Sequence, residues 1–190
     1  LHLCNKNMEN MDTNNNDSSK AKNDLLAEVC LAANYEAQSL IRDHPKYKEI
    51  YSDSQICTEL ARSFADIGDI VRGKDLYRGN RKKNQNETER EKLEKNLKTI
   101  FKKIYENLVK KKGKEAEERY KGDYPNYYKL REDWWDANRL EVWKAITCGA
   151  PKEAQYFRKT ACGGGKGTQG RCRCVTDVPT YFDYVPQYLR

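Results

Sequence analysis

The sequence is short of the groups from which enzymes and metal centres are usually built. Among 190 residues there are two histidines, His2 and His44. Neither sits at a spacing from a nucleophile or carboxylate that suggests acid–base work, and no catalytic constellation stands out, so a binding role is expected rather than an enzyme. Apolar residues are also scarce: 37% of the chain is hydrophobic and mean hydropathy is −1.04. No apolar run approaches the roughly 20 residues that cross a bilayer. No secretory leader is visible, and Leu1 and Arg190 read as cuts within a longer chain that would carry any leader or anchor. No stretch alternates as a strand does, and no long repeat recurs. Disorder, the other outcome of so polar a composition, is opposed by 13 Tyr, 4 Phe and 3 Trp.

Charge and cysteine are what the chain does have. Net charge is +7. From Arg72 to Lys114 there are sixteen Lys/Arg against six Asp/Glu, so this third carries +10 and the rest −3. A cationic field of that size points to a polyanionic partner. The candidate contacts are Arg78, Arg81, Lys82 and Lys83 in a Gly/Asn-rich loop, then Lys98, Lys102 and Lys103, and finally Lys110, Lys111, Lys112 and Lys114. The competing reading is a solvated helix face, which Glu87, Glu89, Glu91 and Glu94 favour at its start.

Seven cysteines are present, four of them between Cys148 and Cys174. They lack C-x-x-C spacing and the histidines are distant, so disulfides are expected and no metal or cofactor. Disulfides place the chain in an oxidising compartment, where nucleic acid is not an expected partner. The run Gly163-Gly164-Gly165-Lys166-Gly167-Thr168 superficially suggests a phosphate loop. It has Thr160 and Gly167 where the motif requires glycine and serine or threonine, and reads instead as a flexible tip between bridged cysteines.

Periodicity predicts an all-α, disulfide-braced antiparallel helical bundle with a Cys/Gly-rich loop near the C-terminus. A first helix is expected over 20–43, ended by Pro45, and a second after a capping box at Ser52-Asp53-Ser54-Gln55, ended by Gly73. A third follows a capping box at Thr88 and Glu91, with Leu93, Leu97, Ile100, Phe101 and Ile104 as its buried stripe. A fourth runs over 127–147 and a short fifth from Pro151 to about 159. Trp134 and Trp143 read as core, with Trp135 at its edge. Asp66 and Asp69 read as partners for Arg62 or Arg72. Asn16-Asp17-Ser18 and Asn86-Glu87-Thr88 are glycosylation sequons in surface loops.

Three longer motifs carry a resemblance. Ala61-Arg62-Ser63-Phe64-Ala65-Asp66-Ile67-Gly68-Asp69-Ile70, Trp134-Trp135-Asp136-Ala137-Asn138-Arg139 and Val178-Pro179-Thr180-Tyr181-Phe182-Asp183-Tyr184 resemble the signatures of Duffy-binding-like domains. Together they look like the alpha class found in the variant erythrocyte membrane protein family of the malaria parasite. The resemblance implies a domain of three subdomains. Residues 1–23 would end the first, 24–177 form the helical second and 178–190 open the third. It also implies pairing of Cys30 with Cys148, Cys57 with Cys174 and Cys162 with Cys172, and of Cys4 with a partner upstream.

By the same resemblance the parent protein is displayed on the infected red-cell surface and adheres to host red-cell receptors. Sulfated or blood-group glycans and complement receptor are the implied partners, and antibodies the immune counterpart. The alternative is a scaffold that presents variable loops while neighbouring subdomains make the contacts.

Overall fold

A computed structural model describes residues 4–13, 19–76 and 87–190. Six α-helices occur among them: α1 (Lys6–Glu9), α2 (Ala21–Ile50), α3 (Ile56–Arg72), α4 (Glu89–Lys112), α5 (Lys114–Arg119) and α6 (Tyr128–Ile146), with three single 3₁₀ turns after α6 and no strand. No helix among the described residues is long and apolar enough to cross a membrane.

The core forms where α2, α3 and α6 meet. Helix α3 is central because its apolar residues recur on more than one side: Leu60, Ala61, Phe64, Ala65, Ile67 and Ile70 are all buried. Phe64 lies between two α6 indoles, with ring centroids 5.2 Å from both Trp135 and Trp143. Trp135 is fully buried, where the sequence had suggested an edge position. Successive helix residues point about 100° apart, so Trp134 and Trp135 are both covered only because α6 is flanked on two sides. Trp134 meets Phe101 of α4 edge-on, and Trp135 lies against α3 and Asp183.

Gly68 makes that approach possible. A Cβ at this position would fall 2.7 Å from Cζ2 of Trp135, whose Nε1 is tied to Asp183 at 2.9 Å. The ring therefore has little room to yield. Gly68→Ala is expected to cost about 1–3 kcal/mol by overpacking. A urea titration with both disulfides intact measures this, and an unchanged midpoint would show that the indole can shift.

Helix starts and stops follow local chemistry where it is strong. Thr88 and Glu91 form the reciprocal capping box, with Thr88 N–H donating to Glu91 Oε2 at 2.7 Å and Glu91 N–H to Thr88 Oγ1 at 3.1 Å. Gly73 ends α3 in the left-handed conformation (φ 73°), and Lys74 N–H returns to Asp69 O. Three expectations are corrected. Helix α2 continues through Pro45 to Ile50, because residues 45–50 are exposed and a carbonyl deprived of its partner there can be hydrated. Helix α3 begins at Ile56 without a side-chain cap, since Ser54 Oγ turns to Glu59 and His44. Residues 151–159 form no helix, because Ala154 and Tyr156 bond instead to the segment around Thr168 and Cys172.

The cysteine pairing is also corrected. Cys57 is bonded to Cys172, and Cys162 to Cys174, in place of Cys57–Cys174 and Cys162–Cys172. Arg171 and Cys172 both have positive φ (49° and 57°), so the chain turns sharply there and delivers Cys172 into the core beside α3. Cys30 and Cys148 are not bonded to each other, and Cys4 has no disulfide partner among the described residues, which do not include the upstream partner expected for it. Cys30 feels the charge of Glu141, whereas Gly149, next to Cys148, packs beside Ile41. Those two positions on α2 lie eleven residues apart, about 16 Å along the helix axis, beyond the Cα separation that a disulfide spans.

Candidate polyanion-binding face

Helix α4 buries Leu93, Leu97, Ile100, Phe101 and Ile104, which leaves its lysines on the opposite side. Lys102, Lys110, Lys111, Lys112 and Lys114 are exposed; Lys98 and Lys103 are partly covered. The run Lys110–Lys112 sits on the last turn of α4, where cations complement the negative end of the helix dipole. Arg78, Arg81, Lys82 and Lys83 lie outside the described residues, as do Asn16 and Asn86 of the two sequons.

The nearby acids are largely spent inside the fold. Glu91 serves the capping box, Glu94 is held by Arg131 at 2.8 Å, and Asp75 by Arg90 at 3.1 Å. Arg131 is fully buried, and it also donates to the carbonyls of Val71 and Ile70, joining α6 to the end of α3. Glu106 offers a surface carboxylate to the middle of this face, 4.0 Å from Lys102, a long and exposed pair of little energetic weight, and Glu115, Glu117 and Glu118 stand exposed beyond its Lys114 end. The excess positive charge therefore points outward.

An open groove of about 600 Å³ runs beside the face, lined by Asp75, Arg90, Glu91, Glu94, Lys95, Lys98 and Thr99. It brings Lys98 together with Lys95, which the sequence had not singled out although it lies one helical turn away. Lys103 is drawn elsewhere, donating to the Thr13 carbonyl. Lys102 projects outward beside Glu106, and the Lys110–Lys114 group lies at the far end of the helix.

Behind α3 a polar cluster anchors residues 178–190. Asp69 is paired with Arg72 at 3.0 Å and with Arg190, which also reaches Asp66 at 3.2 Å; Arg62 pairs with Glu59 instead. Burial pushes the Asp66 and Asp69 carboxyls above the usual aspartate range, and the pull of Arg190 does not fully offset it. Burial, reinforced by donation to Asp136, pushes Tyr184 up to about 12.

An acid whose pKa is raised on folding favours the fold when protonated. Its contribution is complete below the unfolded value near 3.9 and is lost as pH rises through the raised one. Asp66→Asn is therefore expected to be more stable than the parent at neutral pH, the difference vanishing in acid. Thermal melts of the two proteins between about pH 4 and 7 test this; a constant difference across the range would contradict it.

The sequence model for the Duffy binding domain matches residues 1–190. Among solved structures, the chain is similar to the NTS-DBL1(alpha-1) domain of the Plasmodium falciparum membrane protein 1 (PfEMP1) from the varO strain, with 43% identity and a TM-score of 0.76 over 99% of this chain and 40% of that one. It is also similar to the ICAM-1-binding DBLbeta domain of PfEMP1 IT4var13, with 33% identity and a TM-score of 0.67 over 99% of this chain and 39% of that one. A further relative, a PfEMP1 DBLb domain solved bound to human ICAM-1, is 32% identical with a TM-score of 0.66, over 99% of this chain and 36% of that one. The chain thus spans about two fifths of the length of the structures it matches. No curated protein sequence matches it closely enough to count as a relative.

Proposed function

The chain belongs to the Duffy-binding domain family, and from that premise we propose that it is part of a host-cell adhesion module that binds red-cell receptors through anionic glycans, sulfated ones foremost. On this reading the module lies on the outer face of a parasite protein exported to the infected red-cell membrane. The helical part is its second subdomain and residues 178–190 open the third. The observation that carries the reading is the outward excess of lysine on α4 after Glu91, Glu94 and Asp75 have been consumed internally. Clustered cations hold polyanions by charge and by counter-ion release, so affinity should fall steeply with salt.

Heparin affinity across a salt series tests it. Charge reversal at Lys102, Lys103, Lys110 and Lys111 is expected to lower the slope of log affinity against log salt by about 2–4, with circular dichroism confirming the fold. No retention on heparin at physiological ionic strength would reject the glycan reading. Unchanged adhesion of the complete domain after the four reversals would favour the scaffold alternative, with contacts made elsewhere.

A second reading, direct binding of a protein receptor, draws on the relatives solved with ICAM-1 and on Tyr47, Ile50 and Tyr51, which are exposed at the end of α2 with the two tyrosine rings 4.6 Å apart. It predicts affinity that is nearly insensitive to salt.

A further inference from the structure

A second cationic surface lies where periodicity had suggested a helix and a flexible tip. Between Lys144 and Cys174 there are seven Lys/Arg and one acid, Glu153. The structure divides the cations into two groups. Arg171 donates to the carbonyls of Cys148 and Ala150, Arg173 to Thr147 Oγ1 and the Lys144 carbonyl, and Lys144 pairs with Glu141 at 2.8 Å. The two arginines close the C-terminal end of α6, and Lys144 is paired along the helix. Lys152, Arg158, Lys159 and Lys166 are exposed and enter no ion pair among the described residues.

The four sit on one braced ribbon in which residues 152–160 run alongside 166–173 in the opposite sense. Cys172 N–H donates to Ala154 O at 2.9 Å and Tyr156 N–H to Thr168 Oγ1 at 3.0 Å. Gly170 and Gly167 lie so close to the backbone at Lys152 and Lys159 that a Cβ would stand 2.2 and 3.2 Å from those two carbonyl oxygens. Cys162 bridges to Lys166, which brings Lys166 to the tip beside Arg158 and Lys159, with Lys152 at the root. Cys57–Cys172 ties the root to α3 and Cys162–Cys174 closes the tip. Asp177, bonded to the Gly163 N–H at 2.9 Å, and exposed Glu153 are the acids nearby, so the balance stays positive. Phe157 stands 57% exposed between the cations, its ring 4.7 Å from that of Tyr156.

This surface is separate from the α4 face. Helix α4 meets α6 at Arg131 and Trp134, whereas the ribbon packs on the other end of α6, where Trp143 Nε1 donates to Cys172 O at 3.1 Å. Twelve residues of helix, about 18 Å, separate Arg131 from Trp143, more than the screening length of about 8 Å at physiological salt.

We propose that the ribbon over 152–174 is a second, independent binding surface for a linear anionic polysaccharide, laid along Lys152, Arg158, Lys159 and Lys166 with a sugar face against Phe157. Three cations gather at the tip and Lys152 lies at the root, with no pocket lined by them among the described residues, and a spread of charge along a surface matches a charged polymer. Two disulfides hold the ribbon in place beforehand, so little ordering entropy is lost on binding. The inference does not depend on the α4 reading.

Titration of the complete domain with a short, size-defined heparin oligosaccharide tests it. The comparison uses a ribbon variant (Lys152→Gln, Arg158→Gln, Lys159→Gln, Lys166→Gln) and an α4 variant (Lys98→Gln, Lys102→Gln, Lys110→Gln, Lys111→Gln). At low salt the ribbon variant should lose one class of sites, weakened about tenfold or more, while the α4 variant retains it. Binding by the ribbon variant indistinguishable from the parent overturns the proposal. So does a ribbon effect that disappears once the α4 lysines are neutralised, which would mean a single shared site. Competition by polyglutamate of equal charge, as effective as the oligosaccharide, overturns the polysaccharide assignment in favour of an acidic protein segment.

Discussion

Replacement of Asp183 by alanine is expected to destabilise the fold by about 3–5 kcal/mol, the range for removing one partner of a buried ion pair. Asp183 is 1% exposed. Its Oδ2 accepts from Trp135 Nε1 at 2.9 Å and Arg139 Nε at 2.8 Å, its Oδ1 accepts from Arg139 Nη2 at 2.8 Å, and its carbonyl accepts from buried Arg72. Arg139 is packed among Phe64, Tyr181 and Tyr184, with its guanidinium 5.7, 5.4 and 5.3 Å from their ring centres. Without the carboxylate a largely dehydrated cation and an indole N–H lose their acceptors together. Residues 178–190 should then loosen as a unit, because the same cluster holds them to α3. Urea denaturation with the disulfides intact gives the loss, and limited proteolysis shows whether the C-terminal segment is cut first. A loss under about 1 kcal/mol would mean that water reaches Arg139 and takes over the role of the carboxylate. Asp183→Asn, which keeps an acceptor but not the charge, should fall between the two.

Removing the Cys57–Cys172 bridge with paired alanines is expected to cost about 5 kcal/mol, against about 3 kcal/mol for Cys162–Cys174, from the chain entropy that each loop releases on unfolding. The bridges span sequence separations of 115 and 12 residues. Cys57 and Cys172 are 1% and 0% exposed, so their replacement also leaves a small void beside α3. Domains of this kind hold roughly 5–15 kcal/mol in all, and the first variant should stand near the edge of unfolding at body temperature while the second remains folded. Melting curves of both proteins in oxidising buffer measure the difference. Equal losses would show that strain or residual structure in the unfolded chain, rather than loop length, sets the effect.

Features governed by neighbours in the chain were legible in advance. The stripe from Leu93 to Ile104, the Thr88–Glu91 capping box and the Gly73 stop depend on residues within about one turn of each other, and each stands as the pattern implied. Lysine enrichment around α4 was legible for the same reason. Which of those lysines remain available was not. Lys103 is engaged by a carbonyl ninety residues away, and the acids that free the others are consumed by Arg90, Arg131 and a helix cap. The ribbon cations could have been found by counting charge over 144–174, since a single acid stands among seven cations there.

By itself, then, the sequence determined that this protein is helical, cationic in its middle third, braced by disulfides and similar to the Duffy-binding domain family, because composition, local periodicity and long motifs are properties of the chain alone. Tertiary structure decided the rest. It chose Cys172 over Cys174 as the partner of Cys57, carried α2 past Pro45, covered Trp135 and turned residues 151–174 into a braced ribbon. Each of these outcomes balances a local preference against contacts made by residues far away in the chain, and that balance exists only once the helices have packed.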